Sequence, residues 1–275
     1  WDNLDDFKDD PRFIIIDIDH RDSNGACWAR SLIQEHYKGE KYTLQIDSHH
    51  RFTRWWDLKC KKMIESLQDH GHQKPILTSY IPSYNPRNDP GERVREVWKM
   101  DFDRFTPEGI VFMLPAPMEA PEEKILPIPT RFFSAHFMFT LGQFHLEVPY
   151  DPNIYFHGEE ITMAVRAYTN GYDLFTPHQT VAWHEYTRAN RIRHWDEHDD
   201  WKKRNNESLL LCKRLLGVDG EYFERYAYKY GLGNTRTIED YEQYAGIRFK
   251  DRAVQSYTLQ NLDPPNPTYS TKDAY

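Results

Sequence analysis

The chain has 275 residues, enough for one large domain or a core domain with an appended helical piece. Hydrophobic residues at 39% and charged residues at 28% exclude general disorder. The formal net charge of -8 argues against a nucleic-acid backbone or an anionic membrane as main partner.

Residues 12–17 (RFIIID) are a short β-branched run and read as a buried strand. Asp22-Ser23-Asn24-Gly25 is a turn cluster and helix start; residues 26–37 read as a helix that Gly39 stops. Residues 42–46 read as the next strand, ending at Asp47. A strand–helix–strand unit implies a mostly parallel sheet flanked by helices, an α/β fold. Residues 56–70 read as a second helix and 74–80 as a third strand. Residues 82–92 are a loop, 93–114 further strands, and 115–129, with five prolines, a long irregular connection. After an aromatic stretch at 132–142, residues 159–170 read as an amphipathic helix stopped by Gly171, followed by strands at 172–177 and 180–186. Residues 205–216 and 221–230 read as helices and 261–275 as a frayed tail. This divides the chain into a main domain, 1–204, and a helical extension and tail, 205–275.

Cys27, Cys60 and Cys212 are far apart and form no CxxC, which suits a reducing compartment and a cytoplasmic location. No apolar run approaches the ~20 residues of a membrane-spanning helix. Residues 1–10 are acidic and carry no signal-peptide pattern.

Chemistry concentrates first at Ile46-Asp47-Ser48-His49-His50. It follows the expected end of a parallel strand, where open α/β sheets place ligands. Residues two apart in extended chain point the same way, so Asp47 and His49 can reach one ion. A carboxylate with an imidazole suits Mn²⁺ or a similar divalent cation, which can bridge two phosphates; the plain alternative is a polar turn. His184, ending a second strand, is a candidate third ligand, although a single such histidine is more often structural; Arg at position 188 excludes HExxH. His194 and His198, at i and i+4, suit zinc on a helix, but their charged surroundings favour a solvated face. Glu159 and Glu160 open a helix, where carboxylates either hold sugar hydroxyls and an acceptor or simply cap. Arg30 is a phosphate clamp, a partner for an acidic ligand, or a surface residue, and Arg188, Arg191 and Arg193 either close over a diphosphate or solvate a loop.

The segments GACWAR, YTLQIDSHHRF, WWD, EVPYDPNIYFHGEEITMAVRAYTNGYDLFTP, WHEYTR and GNTRTIEDYEQYAGIRF occur in that order. Together they resemble the Skp1-type hydroxyproline N-acetylglucosaminyltransferases, and more distantly the polypeptide GalNAc-transferases, whose metal motif is also Asp-x-His. The resemblance spans about residues 12 to 250. It implies a GT-A (Rossmann-like) fold that here lacks its first βα unit, a UDP-sugar donor (UDP-GlcNAc first), a divalent metal (Mn²⁺ or Mg²⁺), retention at the anomeric carbon, and a protein or glycan hydroxyl as acceptor, hydroxyproline in the resembled family. It carries metal roles onto Asp47, His49 and His184 and a donor-sugar role onto Glu159. Arg30 falls where the donor or the Asp motif is contacted, and Ser48 and Arg188 join it as donor contacts. His136 stands near the expected sugar where the family has a small residue. Two other readings remain: a zinc hydrolase built on His49, His50, His194 and His198, and a non-catalytic carbohydrate-binding remnant.

Overall fold

In the computed structural model, residues 4–187, 192–220 and 228–268 are described. The elements run α1 Ala26–Gln34, β1 Tyr42–Ile46, β2 His50–Phe52, α2 Trp56–Asp69, β3 Pro75–Thr78, β4 Trp98–Phe105, β5 Val111–Pro117, β6 Ile128–Pro129, β7 Phe137–Leu141, α3 Phe144–Glu147, α4 Glu159–Thr169, β8 Asp173–Thr176, β9 Ala182–His184, α5 His194–Glu197, α6 Trp201–Leu216 and α7 Ile238–Ala245.

A five-stranded sheet in the order β1-β7-β3-β8-β6 forms the centre of a mixed α/β fold. The expected mostly parallel sheet is corrected here: only β3 and β8 run parallel, while β1–β7, β7–β3 and β8–β6 are antiparallel. The reason is β7. The chain leaves the sheet after β3, makes the β4–β5 hairpin, adds β6 antiparallel at the far edge beside β8, and then enters as β7 between β1 and β3, antiparallel to both. Asp47 therefore follows an edge strand paired antiparallel, not a parallel one.

Residues 12–17 form no strand. Their β-branched side chains favour extended backbone, but a strand exists only against a neighbour, and no described strand pairs with them. Phe13, Ile14 and Ile16 are accordingly all more than a third exposed. The proline-rich stretch is also less irregular than expected. β5 carries Pro115 and Pro117 on a two-stranded hairpin, and β6 contains Pro129 at the sheet edge, positions where a missing N–H costs no ladder bond. α6 starts four residues earlier than expected. The expected frayed tail is docked as far as it is described: Asn266 is 5% exposed and donates to Gln255 and Thr258. Most of the helix expected at 221–230, and residues 269–275, lie outside the described residues.

Two apolar layers hold the sheet. On one side α2 packs Cys60, Ile64 and Leu67 against Leu77, Phe137 and Phe139. On the other, α4 lies between the sheet and helices α6 and α7, and is buried nearly all round. Its start is fixed by Gly158, at φ 95°, whose added Cβ would stand 2.5 Å from Cys212 Sγ. Gly158→Ala would meet both left-handed strain and overpacking, and should lower stability by about 2–3 kcal/mol. A guanidinium melt reads this directly, and an unchanged midpoint contradicts it. Among the described residues no helix is long and apolar enough to cross a membrane.

Candidate active site

Where β1 ends, Asp47 meets Arg30 from the middle of α1. One guanidinium nitrogen of Arg30 donates to Asp47 Oδ1 at 2.8 Å and the other to Glu159 in the first turn of α4. The arginine side chain is 12% exposed and Glu159 5%, while Asp47 is 43% exposed, so the pair reaches from protein interior to cavity. Burial raises the pKa of Glu159, with Arg30 pulling it back. The neighbouring Glu160 accepts from the Ala135 amide at 2.9 Å and from the Tyr80 hydroxyl. Burial pushes its carboxyl up to about 7, against the pull of those two donors. The two adjacent carboxyls thus have different environments: one faces a cation, the other neutral donors.

The state of Glu160 has a measurable consequence. Its folded pKa lies above the ~4.3 of a free glutamate, so the folded state binds the extra proton. The stability tied to that proton is complete below pH ~4.3 and is lost as pH rises through about 7. Glu160→Gln keeps an acceptor for the Ala135 amide, turns Nε2 as a donor toward the Tyr80 oxygen, and does not titrate. Relative to this variant, the wild type should lose up to about 3 kcal/mol between pH 4.5 and 8. Parallel denaturation curves at the two pH values would contradict it.

β2 and β9 pair antiparallel, with His50 opposite His184 and the Glu185 amide donating to the His49 carbonyl at 3.0 Å. This small ladder brings distant histidines together. The His184 ring centre lies 4.8 Å from those of both His50 and His136, and 6.3 Å from that of His49. His50 Nδ1 donates to the Asp47 carbonyl at 2.8 Å, which leaves Nε2 unprotonated. His136 accepts at Nε2 from the Ile81 amide and contacts Ser134 Oγ through Nδ1. Burial, then the neighbouring histidines, keeps His136 well below its ordinary pKa and holds His184 down at about 4. These imidazoles are neutral at pH 7, the form that ligates metals.

A cavity of about 470 Å³ opens over this group, and its lining includes Arg30, Asp47, His136, Glu159, Glu160 and His184. β5 supplies an apolar wall through Met113, Leu114 and Pro115. Ser48 and His49 are not part of the lining; the Ser48 hydroxyl contacts the His49 ring at 3.0 and 3.2 Å. Arg188 and Arg191 lie outside the described residues. Arg193 is tied to the start of α5 through its amide and Asp196.

Fit to a divalent metal can be tested on these residues. Both ring nitrogens of His184 are buried and make no hydrogen bond, which is costly for a histidine with no further partner. Its neighbours Asp47 and His49 supply a carboxylate and an imidazole, a donor set of the right chemistry. As the side chains stand, no group of three His, Cys, Asp or Glu among the described residues is arranged to hold an ion. The donor chemistry therefore fits, while closure on an ion requires side-chain rotation.

The zinc reading fares differently. His194 hydrogen-bonds through Nδ1 to Tyr155 Oη at 2.7 Å and through Nε2 to the Ser23 carbonyl at 3.1 Å. His198 contacts the His20 carbonyl at 3.2 Å and stacks on His194. His194 lines a separate cleft from the one that takes His184. The set His49, His50, His194 and His198 is not assembled, because the last two clasp the segment before α1.

Sequence reasoning missed Gln45, Tyr80, Tyr150, Tyr186 and the Ala135 peptide. Tyr186 donates to the Ile81 carbonyl at 2.7 Å and lies edge-on to His184. Gln45 was findable, since it precedes Asp47 by two on a strand and shares its face. The tyrosines carry no local signal; only the fold brings them here.

The family model described as Glycosyltransferase (GlcNAc) matches residues 9–251. The chain belongs to this glycosyltransferase family. No curated protein matches it. Among solved structures it is similar to the crystal structure of GalNAc-T7 with UDP, GalNAc and Mn²⁺, at 13% identity and a TM-score of 0.47, over 80% of this chain and 40% of that one. The chain thus spans less than half the length of that protein.

Proposed function

We propose that the chain is a GT-A-like retaining transferase. It moves a sugar, GlcNAc first among candidates, from a UDP-sugar to a hydroxyl on a protein or glycan acceptor, protein hydroxyproline included. One observation carries the reading: in a glycosyltransferase chain, Arg30, Asp47, His136, Glu159, Glu160 and His184, drawn from five separate stretches, meet around one cavity. Asp47, His49 and His184 would hold a divalent cation, Mn²⁺ or Mg²⁺, which when bound would supply neutralising charge for a diphosphate leaving group. Arg30 brings positive charge to the same place, and Ser48 and Arg188 join it as donor contacts. Glu159, fixed by Arg30, holds sugar hydroxyls. Glu160, with a pKa near neutrality, is able to take the acceptor proton at pH 7. The imidazole of His136 and the apolar wall of β5 bound the sugar.

A screen of UDP-sugars with Mn²⁺, following release of UDP by the full-length protein, tests this reading. Turnover of UDP-GlcNAc is expected. Absence of turnover with every donor, together with absence of Mn²⁺-dependent UDP binding, would sink it. Glycan binding without turnover would point to a carbohydrate-binding remnant.

A further inference from the structure

Below the cavity lies a buried polar brace that the proposed chemistry does not use directly. Tyr150 is 1% exposed, one of the largest fully buried side chains in the protein. Its hydroxyl accepts from Gln45 Nε2 at 2.7 Å, and the same amide nitrogen donates to the Ala135 carbonyl, also at 2.7 Å. The other face of the Ala135 residue, its N–H, holds Glu160. The Tyr150 hydroxyl also lies beside Glu159 and steadies its charged form. The Arg30 guanidinium stands over the Tyr150 ring, 5.6 Å from its centre. The tyrosine backbone is anchored in turn, its amide donating to Gln34 Oε1 at 2.7 Å at the end of α1.

A fully buried phenol is an expensive way to fill space, because its hydroxyl must find partners away from water. Phe would fill the same volume without that demand. Here the hydroxyl finds Gln45, two residues before Asp47 on β1, whose amide nitrogen also holds the Ala135 residue that donates to Glu160 on α4. The brace thus links the strand that carries Asp47, the helix that carries both glutamates, and the arginine between them.

We propose that Tyr150, with Gln45, is a positioning residue pair that sets Arg30, Glu159 and Glu160 relative to Asp47 for sugar transfer. This rests on the reading of the site given above. Neither side chain touches the substrate. Their effect is on the geometry of groups that do, and small misplacement of such groups lowers turnover more than binding.

The test uses the full chain with UDP-GlcNAc and Mn²⁺, in the wild type, Tyr150→Phe, Gln45→Met and Asp47→Ala. Turnover number and the dissociation constant for UDP with Mn²⁺ are measured, together with melting temperature. The expected result is a fall in kcat of about tenfold or more in both brace variants, with UDP affinity within about twofold of wild type and a cooperative melt retained. A purely structural role would instead move melting temperature or binding and leave kcat in step with the folded fraction. The proposal is overturned if kcat in both variants stays within twofold of wild type while Asp47→Ala is inactive. It is equally overturned if UDP affinity falls together with kcat. If Asp47→Ala turns over like the wild type, the site reading fails and takes the brace with it.

Discussion

Asp47→Ala is expected to lower sugar transfer by at least about a hundredfold and to abolish Mn²⁺-dependent UDP binding, with little loss of stability. The dissociation between activity and stability follows from where Asp47 stands. Its side chain is 43% exposed and its ion pair with Arg30 is half in solvent. Exposed pairs of this kind contribute only about 0–1 kcal/mol. Removing the carboxylate leaves Arg30 still paired with Glu159, so no buried charge is stranded. The chemical loss is larger, because the variant gives up the one carboxylate of the proposed metal set and leaves His49 and His184 alone. Calorimetric titration with UDP, with and without Mn²⁺, separates the two effects. UDP binding that stays Mn²⁺-dependent in the variant, or turnover within tenfold of wild type, removes Asp47 from the metal site.

Arg30→Ala should behave in the opposite way, with a large cost in stability as well as in activity. Glu159 is 5% exposed, and Arg30 is the only cation that hydrogen-bonds to it among the described residues. Without the guanidinium, a buried carboxylate has no counter-charge, which typically costs about 3–5 kcal/mol. The sign of the pH dependence is fixed by the same argument. Burial already raises the Glu159 pKa, and loss of Arg30 removes the main opposing pull. In the variant the folded state favours the protonated acid, so the penalty is small where glutamate is protonated in both states and grows as pH rises through the folded pKa. Denaturation at pH 5 and pH 8 should show the gap to wild type widening at pH 8. The double variant Arg30→Ala with Glu159→Gln should recover much of the lost stability, because the stranded charge is gone. A single-variant cost below about 1 kcal/mol at pH 8 would mean that the pair is not held as described.

The site residues differ in how far local sequence could reach them. Asp47 and His49 stood out because a strand pattern ended in ligand-type side chains. Glu159 and Glu160 stood out because a glycine opened an amphipathic helix on two acids. His184 was proposed only as a partner for the first two, and it does arrive beside them, through the β2–β9 ladder that the pattern of residues 180–186 suggested without identifying its partner strand. His194 and His198 had the better metal-like spacing, yet their ring nitrogens bind backbone carbonyls and Tyr155. Spacing on a helix says which side chains share a face, not what the face packs against.

The sequence by itself determined the places of most helices and strands, the presence of a helix-flanked sheet, and which polar residues stand at element ends. Those properties are local, set by hydrophobic period, turn residues and glycine stops within a few positions. Strand direction, the unpaired state of residues 12–17, and the gathering of Gln45, Tyr80, Tyr150, His136 and His184 around Asp47 were decided only by tertiary structure. The physical reason is that each depends on a partner far away in the chain. β7 reaches its place between β1 and β3 after the long β4–β5 excursion, and by entering antiparallel it sets the direction of the sheet. The same return places Ala135 and His136, just ahead of β7, beside the two acids of α4.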